Sequence, residues 1–281
     1  MMEFQSIDES ITRARGLPGP AVAPPTLVEL AFRRERLVTT LLLVALPAAS
    51  WAWIALMARD MYGSMSGSSA WMMTATWDAP HLLLLWAMWA VMMTAMMLPS
   101  AVPVVLLYAG AARQQATALD RRRATARIYL LAAGYLAVWG LFSVAATILQ
   151  RLLSAALLLT PMMEPAVPLA TVAVLTAAGL YQLTPLKRAC LRVCRSPLSF
   201  LMRGMARGTS AFGLGVRHGA WCLGCCWALM LLLFAGGVMN LAVIVALTAW
   251  VAIEKLAPFG YRTPWVTGVA LLALAARVAL A

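Results

Sequence analysis

The sequence predicts an all-α polytopic integral membrane protein. Of its 281 residues, 63% are hydrophobic and 11% charged, against roughly 25% charged in an ordinary soluble domain. Several apolar runs approach the ~20 residues that a helix needs to cross a ~30 Å hydrocarbon layer. They lack the alternating polar positions of membrane strands. Backbone amides in lipid must be satisfied within their own segment, so runs of this kind are helices.

Residues 1–36 mix acids with arginines and carry a proline-rich stretch at 17–25. They read as a disordered cytoplasmic tail, with 37–281 as a single transmembrane helical domain. No short apolar core with a small-residue cleavage site follows the tail, so the first apolar run reads as a retained anchor. Seven spans are expected, at about 37–57, 81–109, 128–149, 166–184, 218–235, 239–254 and 264–281. The fifth and sixth are short and meet at Gly236-Gly237, the signature of a tight helical hairpin. A six-span version has that hairpin dipping partway. Residues 152–160 read as an interfacial helix or as an extension of the third span.

Basic residues set the orientation, because Lys- and Arg-rich loops stay cytoplasmic. Of the 22 Lys and Arg, only Arg59, Arg151 and Arg277 fall on the opposite set of loops. The pattern places the N-terminus inside and the C-terminus outside. It also accounts for the net charge of +12 through topology and contact with anionic lipid, without nucleic acid. Arg121–Arg123 read as a solvated anchor, and Glu254-Lys255 as a local pair or helix cap at the end of the sixth span.

The spans exclude several functions. No acid or base lies deep within them by sequence position; His81, His218, Glu254 and Arg277 fall near ends. Proton-coupled and ion-driven carriers place such groups at membrane depth. There is no phosphate-binding glycine loop, and two histidines near opposite faces make no Ser-His-Asp set. A non-catalytic protein is expected.

Sulfur is what the chain carries. Cys190 and Cys194 lie four apart in KRACLRVCRSP, and Cys222, Cys225 and Cys226 form CLGCC, with His218 four residues before. On a helix, His218 and the three cysteines of CLGCC share an arc of about 100°. In a reducing compartment such thiols stay unpaired, and thiolates with an imidazole suit Cu(I) or Zn(II).

Methionine follows in the second span. His81, Met88, Met92 and Met96 fall on one helical face, with Met93 and Met97 beside or across from them. Pro99 and Pro103 then kink the helix and free backbone carbonyls. The preceding outer loop adds Met57, Met61, Met65, Met72 and Met73 with Asp60 and Asp78, and a later one adds Met162, Met163 and Glu164. Each residue alone reads equally well as packing. Their distribution points to copper: thiols inside and thioethers outside both bind Cu(I), whereas zinc has little use for thioether. Trp51, Trp53, Trp71, Trp77, Trp86 and Trp89 read mostly as an interfacial belt. Trp86 and Trp89 can alternatively cover a metal.

The stretches WAVMMTAMMLPSAVP (89–103), YQLTPLKRACLRVCRSPL (181–198), GLGVRHGAWCLGCCWALMLLLFAGGVMNL (213–241) and EKLAPFG (254–260) carry a family resemblance across residues 81–262. The chain resembles the bacterial predicted metal-binding integral membrane protein family, a domain of unknown function. Some of its members act as copper chaperones for a polyphenol oxidase. The resemblance implies a multi-pass protein of the bacterial inner membrane that binds copper and delivers it to a client enzyme. It also implies Cys190, Cys194, Cys222, Cys225, Cys226, Met92, Met93, Met96 and Met97 as candidate ligands. Two other readings stay open: a thiol-redox protein using CLGCC, and a non-catalytic assembly or scaffold protein whose sulfur is packing.

Overall fold

The computed structural model describes residues 27–63, 67–72, 78–115, 120–160, 162–260 and 262–281. The expectations for Met65, Met73, Trp77 and residues 1–26 lie outside them. The chain divides into residues 1–40 and a compact body, residues 41–281. Among the described residues every named element is helical, with one isolated bridge between Leu159 and Pro165. The helices are α1 (Leu27–Met61), α2 (Gly67–Met72), α3 (Ala79–Gln115), α4 (Arg121–Ala155), α5 (Pro168–Leu183), α6 (Pro185–Cys194), α7 (Pro197–Ala206), α8 (Ala211–Gly236), α9 (Leu241–Leu256) and α10 (Thr263–Leu280).

Local chemistry fixes the boundaries. Proline sits in the first turn of α5, α6, α7 and α10, where its missing N–H costs nothing. Side-chain caps start α6, α8 and α9: Thr184 accepts from Lys187 N, Ser210 from Gly213 N, and Asn240 from Ala242 N and Val243 N. Gly237 turns the chain between α8 and α9 at φ +89°, a conformation that glycine adopts without strain. The hairpin expected at this pair of glycines is therefore present.

Helix length and apolarity support five or six of the seven expected spans. Among the described residues, five helical stretches are long and apolar enough to cross a membrane: Thr39–Met61, Ala79–Gln114, Arg122–Ala155, Ala211–Gly236 and Thr263–Leu280. A sixth crossing is possible if α5 and α6, bent by 68° at their junction, count as one broken span. The expected sixth span is α9, whose 16 residues extend about 24 Å, short of a ~30 Å hydrocarbon layer. The expected fifth span is longer than its apolar run, because Ser210 caps α8 well upstream of the run's start. Residues 152–155 extend α4, which ends at Ala155.

Helix α8 is the centre of the body and packs against α4, α5, α6 and α9; α10 packs on α5, and α3 on α4, α7 and α9. At the α4–α8 crossing the backbones touch. A Cβ built on Gly215 would collide with the Leu131 carbonyl, and one on Gly134 with the Phe212 carbonyl. Small residues at such crossings let membrane helices approach closely. Gly215→Leu is expected to destabilise the protein by at least the ~1–3 kcal/mol typical of overpacking. Thermal unfolding in detergent, compared with wild type and with a leucine at open-faced Gly110, measures it.

One large cluster of buried residues fills the interior, joining Met57, Met61, Met72, Met88, Met92, Met93, Met96, Met97, Met163, Met230 and Met239 with Cys190, Cys222, Cys225 and Cys226. Proline chemistry ties α3 into it. Pro99 lacks the N–H that would bond the Ala95 carbonyl, and Trp51 Nε1 donates to that carbonyl instead at 3.2 Å. Trp86 donates to the Gly140 carbonyl at 3.1 Å and remains partly exposed. Trp89 departs from the belt reading. It is fully buried, donates to Gln150 Oε1 at 2.7 Å and packs on Phe234 with ring centroids 5.1 Å apart.

Candidate metal centre

The three cysteines of CLGCC sit in the middle of α8, about 16–23 Å from its first residue at 1.5 Å per residue, rather than at its opening. They radiate toward four neighbouring helices. Cys222 faces α4 and α9: its Sγ lies 3.1 Å from Tyr135 Oη and 2.9 Å from Lys255 Nζ. Cys226 faces α3, with its Sγ 3.8 Å from Met97 Sδ. Cys225 faces α6, with its Sγ 3.7 Å from Cys194 Sγ. The thiols of Cys225 and Cys226 both donate back to the Cys222 carbonyl, at 3.0 and 2.9 Å. The three cysteines thus share one helix but meet different neighbours.

Cys190 also approaches α8. A Cβ on Gly224 would lie 2.8 Å from Cys190 Sγ, so only glycine lets α6 lie this close. Tyr181 hydroxyl donates to the Gly224 carbonyl beside it. All five cysteines are free; Cys194 is half-buried and the other four are buried.

Helix ends converge at the same level. Cys222 lies as many residues before the last residue of α8, Gly236, as Lys255 lies after the first residue of α9, Leu241, and α9 stops one residue after Lys255. The α5–α6 break at Thr184 lies beside this end, since Gln182 and Lys187 both reach Glu254, at 3.3 and 2.6 Å. Exposed backbone groups at such a point need partners. Arg195 supplies them, donating to the carbonyls of Glu254, Ala257 and Pro258 at 2.6, 2.7 and 3.3 Å. Broken and shortened helices buried in protein are where membrane proteins place ion sites.

Two expectations about charge are corrected. Glu254 and Lys255 do not pair with each other; successive helical residues point about 100° apart, which sends Glu254 to Lys187 and Lys255 into the sulfur cluster. Nor are the charged residues confined to the periphery: Lys187 is 0%, Glu254 1% and Lys255 6% exposed. Sequence position near the end of an apolar run hid this, because α9 ends inside the protein.

The histidines stand apart from the sulfurs. His218 is buried one turn before Cys222, its ring 5.6 Å from Tyr135 and 5.4 Å from Phe200, and its Nδ1 is buried without a hydrogen-bond partner among the described residues. It touches the cluster through Tyr135, whose hydroxyl meets both Cys222 Sγ and the Met97 carbonyl. His81 lies at the far end of α3, some 24 Å from Met97 along the helix axis, with Nε2 3.3 Å from the Met72 carbonyl and Trp71 nearby. Between them Met88, Met92, Met93, Met96 and Met97 are all buried in the common core. Among the described residues, no three of His, Cys, Asp or Glu converge as a metal-binding group. The donors that do converge are mixed, two thiols and a thioether.

The model of a family described as copper chaperone (PpoB2) matches residues 86–278. The chain belongs to this copper chaperone family. No curated protein and no solved structure matches it. Membership implies copper handling and metal delivery to a client copper protein. The matched stretch holds every cysteine, His218, and Met88 through Met97, and excludes His81. Copper is here the chaperone's cargo. The sulfur groups that converge here fit that cargo chemically, since thiolate and thioether are the ligands Cu(I) prefers.

Three residues of the site were not foreseen from sequence: Lys255, Tyr135 and Ser100, whose Oγ lies 3.2 Å from Lys255 Nζ. The only available signal was Lys255 at the end of an apolar run just before Ala257-Pro258. Tyr135 and Ser100 look like ordinary span residues.

Proposed function

We propose that this protein is a multi-pass chaperone of the bacterial inner membrane that binds Cu(I) and delivers it to a client copper enzyme such as a polyphenol oxidase. The observation that carries the proposal is the meeting of Cys226 Sγ and Met97 Sδ at 3.8 Å. There the thiol group of α8 touches the inner end of the methionine row of α3. Cu(I) is held by Cys222 and Cys226 with Met97, and Cys190, Cys194 and Cys225 form a neighbouring thiol group. The ion passes by ligand exchange along Met96, Met93, Met92 and Met88 toward His81. Each donor set must bind weakly enough to release its ion to the next. The charge bias of the loops supports an inside N-terminus, with the thiols nearer the cytoplasm and the thioethers nearer the outer face. Zinc fits less well, because it makes little use of thioether.

Anaerobic loading with Cu(I) or Zn(II), followed by elemental mass spectrometry, tests the proposal. Retention of copper over zinc supports it, and retention of neither metal would sink it. Met97→Leu keeps the volume and removes the sulfur. It is expected to lower copper retention and to slow activation of an apo-enzyme client by at least ~tenfold, since losing a direct ligand should cost no less than altering an outer-shell partner.

A thiol-redox reading has one observation in its favour, the 3.7 Å approach of Cys194 and Cys225. It requires a mixed disulfide with a client, which trapping with a Cys194→Ser or Cys225→Ser variant would reveal.

A further inference from the structure

Among the described residues, Lys255 is a buried cation set against sulfur where a carboxylate partner would ordinarily stand. Its sequence neighbour Glu254 is engaged by Lys187 at 2.6 Å, and those two charges cancel. Arg195 is occupied by three backbone carbonyls at the end of α9. Lys255 Nζ lies 2.9 Å from Cys222 Sγ, 3.8 Å from Cys226 Sγ and 3.9 Å from Met97 Sδ, with Ser100 Oγ at 3.2 Å. The third thiol of the motif, Cys225, is turned away toward Cys194.

We infer that Lys255 is a specificity residue that sets the valence of the retained ion, favouring a soft monovalent cation over a divalent one. The inference rests on the proposed site at Cys222 and Cys226. When a metal binds, each of these thiols loses its proton to solvent and forms a metal–sulfur bond, and no electron moves. Two thiolates around a monovalent ion carry one net negative charge, which the Lys255 ammonium cancels. Two thiolates around a divalent ion are already neutral, so the same ammonium is left buried and uncompensated. Leaving a buried charge unpaired is among the costliest arrangements in a protein interior. A carboxylate at this position would reverse the preference. Met97 adds a neutral donor and leaves the charge count unchanged.

The test is a competition on the full chain, purified anaerobically and given equal Ag(I) and Zn(II), with Ag(I) as the redox-inert monovalent probe. Retained metal is then measured by elemental mass spectrometry. Wild type is expected to hold Ag(I) and exclude Zn(II). Lys255→Met is expected to lower the Ag(I):Zn(II) ratio by on the order of tenfold or more, while Lys255→Arg, which keeps the charge, retains the wild-type ratio. If Lys255→Met unfolds in detergent, Lys255→Gln keeps a polar donor without the charge and carries the same expectation. A neutral variant with the wild-type ratio overturns the role of Lys255 and leaves the copper reading standing. Wild type that holds neither ion overturns both.

Discussion

Replacing Cys222 and Cys226 together with serine is expected to abolish Cu(I) retention while leaving the fold intact. Serine oxygen is a hard donor that Cu(I) uses poorly. Altering second-shell partners of a metal site typically costs 10–100-fold in affinity, so removing two direct sulfur ligands should exceed that range. The fold should survive, because both side chains are small: the hydroxyl at 226 can donate to the residue-222 carbonyl as the Cys226 thiol does now, and the hydroxyl at 222 can keep the contacts with Tyr135 and Lys255. Elemental analysis after anaerobic loading measures the loss, with size-exclusion and thermal unfolding as controls. A double variant with wild-type copper would place the ion elsewhere, and the Cys190, Cys194 and Cys225 group would be the next set to replace.

The largest stability effect is expected at the Lys187–Glu254 pair. These groups meet at 2.6 Å with side chains 0% and 2% exposed. Removing one partner of a buried pair leaves an uncompensated charge and typically costs ~3–5 kcal/mol. Glu254→Ala is expected to fall in that range and to strand Lys187, because Gln182 offers it no charge. Replacing both, as Lys187→Met with Glu254→Leu, should recover most of the loss, since apolar replacements of buried pairs are often neutral or better. Thermal unfolding of wild type, Lys187→Met, Glu254→Leu and the double variant in one detergent gives the coupling energy. A single variant with wild-type stability would show that the pair contributes nothing. The pair also ties α6, with Cys190 and Cys194, to the end of α9 that carries Lys255. Glu254→Ala should therefore loosen the thiol group as well.

Much of the candidate site is written along the chain. The helical phase of Cys222, Cys225 and Cys226 follows from 100° per residue, and so does the methionine row from Met88 to Met96. The motif stretches sufficed to place the chain in its family. Phase says which face a residue occupies and nothing about which helix lies opposite. Met97, read as beside or across from the main methionine face, proves to be the thioether that meets Cys226. His218 shares the cysteine arc but stacks on Tyr135 and Phe200, because it lies one turn nearer the α4–α8 glycine crossing. Lys255, read as half of a local pair, enters the sulfur cluster because α9 ends there.

The sequence by itself determined the all-helical fold class, the helical character of nearly every element, the family, and which soft side chains the chain carries. These follow from composition, period and short-range spacing, which are properties of a segment taken alone. Only the tertiary structure decided that α9 and the α5–α6 break end beside the thiols, that Cys226 meets Met97, and that a lysine rather than a carboxylate sits among the sulfurs. Those facts depend on how closely separate helices approach, and here that approach is governed by backbone contact at Gly134 and Gly215 and by glycine opposite Cys190. No single segment encodes such a distance.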